Sequence, residues 1–221
     1  MSLRHIDAWV FDLDNTLYPA SSNLFALIDA RMTGFIASLL GCAREEARAL
    51  QKQYFRDHGT TLAGLMALHG VEPRAFLDDV HAIELDRLTP DPRLAAALAR
   101  LPGRRIVFTN GDVDYAGRVL AKLELDALFE GVHDIHAMTY RPKPEPESYR
   151  GLCARWAIDP TRALFAEDMA RNLAPAKAIG MTTLWVDNGS EQADGVACPS
   201  YVDHRTSDLT DWLEGAAKEF A

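Results

Sequence analysis

Basic residues are scarce in this chain: 23 lysines and arginines stand against 32 acids, a formal net charge of −9. A nucleic-acid polymer needs a basic face to neutralise its phosphates, so that class of partner is excluded as the main ligand. A small phosphorylated ligand stays open, because a bound cation can supply the missing positive charge. Cysteine is scarce too. Cys42, Cys153 and Cys198 form no Cys-x-x-Cys motif, and an odd number cannot all pair. They read as free thiols in a reducing cytoplasm. Long hydrophobic runs are missing: the longest, around residues 35–40, falls far short of the ~20 residues a membrane span needs. Asp7 stands where a signal peptide would be apolar. The expectation is therefore a cytoplasmic protein with no membrane partner.

What the chain does have is ordinary globular composition, 48% hydrophobic and 25% charged, which separates it from disordered chains. Its 221 residues amount to about one and a half domains at roughly 150 residues each. Short apolar runs at 8–11, 105–109, 132–136, 164–166 and 182–186 predict buried parallel strands, with a weaker one at 201–203. Amphipathic helical patterns at 94–101, 113–123, 146–156 and 173–179 separate most of them. This alternation predicts an α/β fold with right-handed crossovers. One gap breaks it. Residues 20–88 show only helical patterns, at 24–40, 44–57, 62–69 and 73–88, before Thr89-Pro90-Asp91-Pro92 punctuates the return. The domain reading is a core of 1–19 and 89–221 with an all-helical insertion, 20–88, after the first strand.

Chemistry-bearing residues gather where strands end, which is where open α/β sheets bind ligands. The first run ends in Asp12-Leu13-Asp14-Asn15-Thr16, and the second in Thr109-Asn110-Gly111 before a helix whose first turn holds Asp112 and Asp114. Asp112 fits a helix N-cap and Asp114 the helix dipole. Thr109, Asn110 and Gly111 can converge hydroxyl, amide and backbone N–H donors on an anion. After the third run, Lys143 stands between Pro142 and Pro144, which stiffen its backbone. The fourth ends in Glu167-Asp168. If the first and fourth strands are neighbours, four acids share one crevice. Like charges ~4 Å apart repel by about 4 kcal/mol at an effective dielectric of ~20, so such a cluster calls for a cation. Carboxylates at this density suit Mg²⁺. Together these groups match the needs of phosphoryl transfer, positioning and charge neutralisation.

The four motifs, in this order, resemble the haloacid dehalogenase-like (HAD) hydrolase superfamily. Asp12-Leu13-Asp14-Asn15-Thr16-Leu17-Tyr18-Pro19, with Arg141-Pro142-Lys143-Pro144 and Arg171-Asn172, looks like its pyrimidine 5′-nucleotidase-like branch. The resemblance implies a Rossmann-like, doubly wound parallel sheet with an inserted helical cap. It implies that Asp12 is the nucleophile, forming an aspartyl-phosphate, and that Asp14 is the general acid and base. By the same resemblance, Thr109 and Asn110 bind phosphoryl oxygens with Gly111 beside them, and Lys143 neutralises nucleophile and phosphate. Asp12, the Asp14 carbonyl, Asp168 and, directly or one shell out, Glu167 surround Mg²⁺. An acid at position 14 fits a phosphatase rather than a dehalogenase, since a halide leaves without a proton. One departure is that Glu167-Asp168-Met169 stands where the family often has Asp-Asp-Ser.

The expected activity is Mg²⁺-dependent hydrolysis of a small phosphate monoester, a nucleoside 5′-monophosphate by resemblance. Phosphoglycolate or sugar phosphates are the alternative, and a non-catalytic HAD-fold regulator is a third reading. Within the insertion, 56–61 breaks the helical pattern. It reads as a helix–helix turn, or else as a loop bringing Arg56 or His58 to the substrate. His133, Asp134 and His136 invite a metal reading, but strand alternation sends the two histidines to opposite faces. Trp156, Trp185 and Trp212 read as packing residues, while Tyr18 sits beside the motif. Neither a heptad seam nor a large apolar patch is legible, which leaves monomer and homodimer open.

Overall fold

The computed structural model describes residues 2–190 and 198–220. Among them the strands are β1 (Ala8–Phe11), β2 (Arg104–Phe108), β3 (Gly131–His133), β4 (Ala163–Glu167), β5 (Thr182–Val186) and β6 (His204–Thr206). They form one sheet in the order β3-β2-β1-β4-β5-β6, every pair parallel. Every residue of β1 and β4 is buried, so both faces of the sheet must be covered by helices. The first and fourth strands are indeed neighbours: Phe11 lies opposite Ala166. The chain winds outward in one direction from β1 to β3 and in the other from β4 to β6. The strand order thus reverses between β1 and β4, and this is the switch point where doubly wound sheets open a crevice.

Between β1 and β2 come α1 (Leu24–Leu40), α2 (Arg44–His58), α3 (Thr61–His69), α4 (Pro73–Val80) and α5 (Pro92–Ala99), with no strand among them. The crossovers of the rest of the sheet are α6 (Val113–Lys122), α7 (Pro146–Trp156) and α8 (Ala170–Ala178), and α9 (Leu209–Ala217) closes the chain. Local chemistry explains many of the boundaries. Proline opens α4, α5 and α7, where its missing N–H has no intrahelical partner to lose. Thr60, Asp91, Asp112 and Asp208 cap α3, α5, α6 and α9 through their side chains. Gly41 ends α1 at φ +64°, a conformation that suits a residue without Cβ. Among the described residues no single helix is long and apolar enough to cross a membrane.

Three expectations are corrected. The helix predicted over 73–88 stops at Val80. His81 leaves the helical path because its imidazole is tied to Asp112 and its carbonyl to Arg118. The third strand ends at His133, not 136, because the Asp134 carboxylate accepts the N–H groups of Val113 (3.0 Å) and Ala137 (2.8 Å) and turns the chain. The last strand starts at His204 rather than 201, since Asp203 spends its carboxylate on Lys177 and on the Thr183 N–H.

The strand ending also replaces the alternation argument for the two histidines. His136 lies beyond β3 and bonds the Tyr140 hydroxyl at 3.0 Å. His133 is buried and neither ring nitrogen has a partner. Burial, with Arg155 nearby, pushes its pKa down to about 4. The unfolded chain therefore takes up this proton first. The stability tied to neutral His133 is complete above pH ~6.5 and falls as pH drops toward 4. Replacing His133 with leucine should flatten the pH dependence of urea-unfolding free energy across that window by about 2 kcal/mol. An unchanged slope refutes the assignment.

Candidate active site

Asp12 follows β1 directly and keeps the ladder going: its N–H bonds the Ala166 carbonyl at 2.9 Å. The chain then turns, with the N–H groups of Thr16 and Leu17 both on the Leu13 carbonyl. Asn15 takes φ +58°, a conformation asparagine tolerates better than most residues. Thr16 donates to Asp12 Oδ2 at 3.3 Å. The turn also presents Asp14, whose Oδ1 accepts two phenols, Tyr18 at 2.6 Å and Tyr115 at 2.7 Å. Both tyrosine hydroxyls are held well above their ordinary pKa by burial first and Asp14 second, so they remain donors.

Lys143 is placed by its backbone and spent by its side chain. Its prolyl neighbours have no N–H, and its own N–H goes to Asn110 Oδ1 at 2.8 Å while its carbonyl accepts from Asn110 Nδ2 at 3.2 Å. The Asn110 side chain is thus occupied in positioning the lysine. Thr109 Oγ1 accepts the Gly111 N–H at 3.0 Å. The lysine Nζ donates to Asp12 Oδ1 (2.6 Å), Glu167 Oε2 (2.7 Å) and the Phe108 carbonyl (2.9 Å). It lies 5.2 and 5.4 Å from the ring centroids of Phe108 and Phe165. Burial disfavours its charge, but Asp12 and Glu167 outweigh that, and the ammonium is held above its usual value.

Glu167 also accepts from Asn172 Nδ2 (3.1 Å) and from the Met169 N–H (3.1 Å). Next to it, Asp168 has its carbonyl fixed by the Trp185 indole N–H at 2.9 Å. Asp12, Glu167 and Asp168 bring carboxylate oxygens within 4.8 Å of one another, all buried. Burial above all, then Glu167, pushes Asp12 up to about 7, with Lys143 opposing. The same two causes, joined by Asp12, hold Asp168 well above the carboxylate range. With all three carboxylates ionised and one ammonium beside them, two negative charges would stand uncompensated, the charge of one divalent cation, and without such a cation burial and mutual repulsion push protons onto the acids. Oxygen donors at this spacing fit a hard cation.

All eight residues singled out by sequence (Asp12, Asp14, Thr109, Asn110, Gly111, Lys143, Glu167, Asp168) line one cavity of about 220 Å³ at the switch point. Arg56 and His58 do not line it. The helix predicted to break at 56 runs on through His58, and Phe55, Thr60 and Thr61 face the cavity instead. Sequence reasoning missed Tyr115 and His81, whose rings stack at 4.3 Å. Tyr115 shows only as a core position of an amphipathic helix, and His81 as a helix end.

The chain matches the haloacid dehalogenase-like hydrolases over residues 6–180. It belongs to that family. This hydrolase is 26% identical over 188 residues to Phosphate metabolism protein 8 of Saccharomyces cerevisiae, covering 77% of this chain and 58% of that protein. It is 36% identical over 212 residues to Enolase-phosphatase E1 of Frankia alni, covering 76% of this chain and 87% of that one. The HAD phosphatase of Thermococcus onnurineus shares the fold, with a TM-score of 0.67 at 18% identity over 98% of this chain and all of that one. The hydrolase thus spans little more than half the length of the yeast relative.

Proposed function

We propose that this hydrolase is a Mg²⁺-dependent phosphomonoesterase acting through Asp12. The observation that carries the reading is Lys143 Nζ, 2.6 Å from Asp12 and 2.7 Å from Glu167, inside a cluster of three buried carboxylates that one ammonium cannot neutralise when all are ionised. Such a cluster can seat a dianionic phosphoryl group only with a cation, which Asp12, Glu167 and Asp168 would hold with the Asp14 carbonyl. The chemistry a bound Mg²⁺ supplies there is neutralisation of charge on Asp12 and the phosphoryl oxygens.

The chain's own groups do the rest. An Asp12 carboxylate oxygen bonds to phosphorus as the bond to the leaving oxygen breaks, and Asp14 gives that oxygen its proton. Asp14 then takes a proton from water, whose oxygen attacks phosphorus, releases phosphate and restores Asp12. Tyr18 and Tyr115 hold Asp14 Oδ1, which fixes the direction of its other oxygen. The Thr109 hydroxyl binds a phosphoryl oxygen, Gly111 aims it, and Asn110 holds Lys143 against nucleophile and phosphate. Residues 20–88 would act as the cap that excludes water during transfer.

A nucleoside 5′-monophosphate is the substrate class we favour over phosphoglycolate or a sugar phosphate. Phe25, Phe55 and Phe76 line the cavity, and flat rings suit a base better than a polyol. Hydrolysis of p-nitrophenyl phosphate should fall at least a hundredfold on chelation and return with Mg²⁺. A screen of nucleotides, sugar phosphates and phosphoglycolate ranked by kcat/KM tests the substrate class. A folded, Mg²⁺-supplemented protein that turns over no ester leaves the regulator reading in its place.

A further inference from the structure

The tyrosine that gives its hydroxyl to Asp14 is itself held from behind. Tyr115 lies in the first turn of α6, where Asp112 Oδ1 accepts its N–H at 2.7 Å. The other oxygen of Asp112 lies 2.5 Å from Nδ1 of His81, the residue after α4. Both side chains are buried. Burial opposes the charge of Asp112, but bonds from His81 and from the Tyr115 N–H hold its carboxyl below the usual range, so it accepts and the imidazole Nδ1–H donates. The imidazole lies flat on the Tyr115 ring, with 4.3 Å between centroids and 9° between planes. Arg118, one turn further along α6, binds the His81 carbonyl at 2.5 Å and fixes the backbone that carries the imidazole. A Cβ on Gly111 would stand 3.3 Å from Tyr115 Cδ1 and 3.7 Å from His81 Cε1, so both rings lie against the turn that lines the site. A serine would cap α6 as well, whereas aspartate brings a second oxygen that reaches His81.

We propose that His81, clamped by Asp112, is a positioning residue for the reaction: it fixes the ring plane of Tyr115 and, through it, the direction of Asp14 as general acid. This rests on the phosphomonoesterase reading. The ring torsion of a tyrosine is broad and roughly two-fold, so rotamer preference alone leaves the plane loose. The phenolic O–H lies in that plane, so a turn of the ring swings the proton away from Asp14 Oδ1. A stacked imidazole bonded at its edge removes that freedom. Tyr115 at 2.7 Å and Tyr18 at 2.6 Å then hold Oδ1 together, and the second oxygen of Asp14 keeps its aim at the leaving oxygen. Losses of aim are costly, since a misplacement of about 1 Å can cost about a hundredfold in rate. His81 lines the cavity with Asp14, but it acts on the reaction through the tyrosine and not by touching substrate.

The test is a double-variant cycle read on two esters in saturating Mg²⁺. The alcohol of p-nitrophenyl phosphate leaves without a proton, and that of 2-phenylethyl phosphate needs one. Tyr115→Phe and His81→Leu should each lower kcat/KM at least tenfold for the phenylethyl ester and less than threefold for the p-nitrophenyl ester. In the Tyr115→Phe background, His81→Leu should change neither rate by more than twofold, because the hydroxyl it positions is already gone. Asp112→Ser keeps the α6 cap and gives up the bond to His81. It should repeat the selective loss, and it reads the inference if His81→Leu fails to fold. Unchanged rates in both tether variants, equal losses on the two esters, or losses that multiply in the double variant overturn this inference alone. A wild type that turns over neither ester overturns the phosphomonoesterase reading and this inference with it.

Discussion

Replacing Asp12 with asparagine should abolish turnover and leave a folded protein. The amide keeps the shape of the carboxylate and an oxygen for Lys143 Nζ, now 2.6 Å away, but it is not a nucleophile toward phosphorus. The expected fall in kcat is at least ten-thousandfold, or about 5.5 kcal/mol of barrier. Stability should hold or rise. Burial and Glu167 push the Asp12 pKa up to about 7, so at neutral pH its charge is a cost to the fold that asparagine removes. Steady-state rates and thermal melts on one preparation check both halves. More than a percent of wild-type turnover would rule out covalent catalysis by Asp12, and a large drop in melting temperature would contradict the charge argument.

Lys143→Met should lose both activity and stability. The substitution roughly conserves volume but removes the ammonium that binds Asp12, Glu167 and the Phe108 carbonyl at once. Breaking a buried pair by deleting one partner costs about 3–5 kcal/mol, because the other charge stays buried and unpaired. Here two carboxylates are left facing each other. Acids whose folded pKa lies above the unfolded one destabilise the fold at high pH, and that penalty fades as pH falls. The stability gap between variant and wild type should therefore be widest at pH 8 and narrower at pH 5.5. Mg²⁺ should recover part of it by binding the folded cluster. Turnover should drop at least a thousandfold with Mg²⁺ saturating. A gap of the same size at both pH values would show that packing, not charge, sets the loss.

Much of the site was legible because its chemistry is local. Asp12 and Asp14 lie in one turn, Thr109 to Gly111 in another, and each follows a short apolar run that reads as a buried strand. Proline on either side of Lys143 announced a fixed backbone. Its full meaning needed Asn110, which takes up the lysine's N–H and carbonyl from 33 residues away. The run of helices between β1 and β2 was legible by its missing strands. Its helix ends were not legible at 81–88, because side-chain bonds from Asp112 and Arg118, on the far side of β2, pull the chain out of helix there.

By itself the sequence determined the alternation of strand and helix, the placing of acids and lysine at strand ends, and the family. Hydrophobic periodicity and turn chemistry act over a few residues, so they can be read from a few residues. Only the tertiary structure decided which groups meet. Tyr115 reaches Asp14 across 101 positions, Lys143 reaches Asp12 across 131, and His81 reaches Asp112 across 31. Those meetings follow from strand order and helix packing, which set side chains from distant segments in contact, and no local pattern encodes them. The scarcity of basic residues takes its meaning from the same contacts. One buried lysine pairs with Asp12 and Glu167 in a cluster of three buried carboxylates.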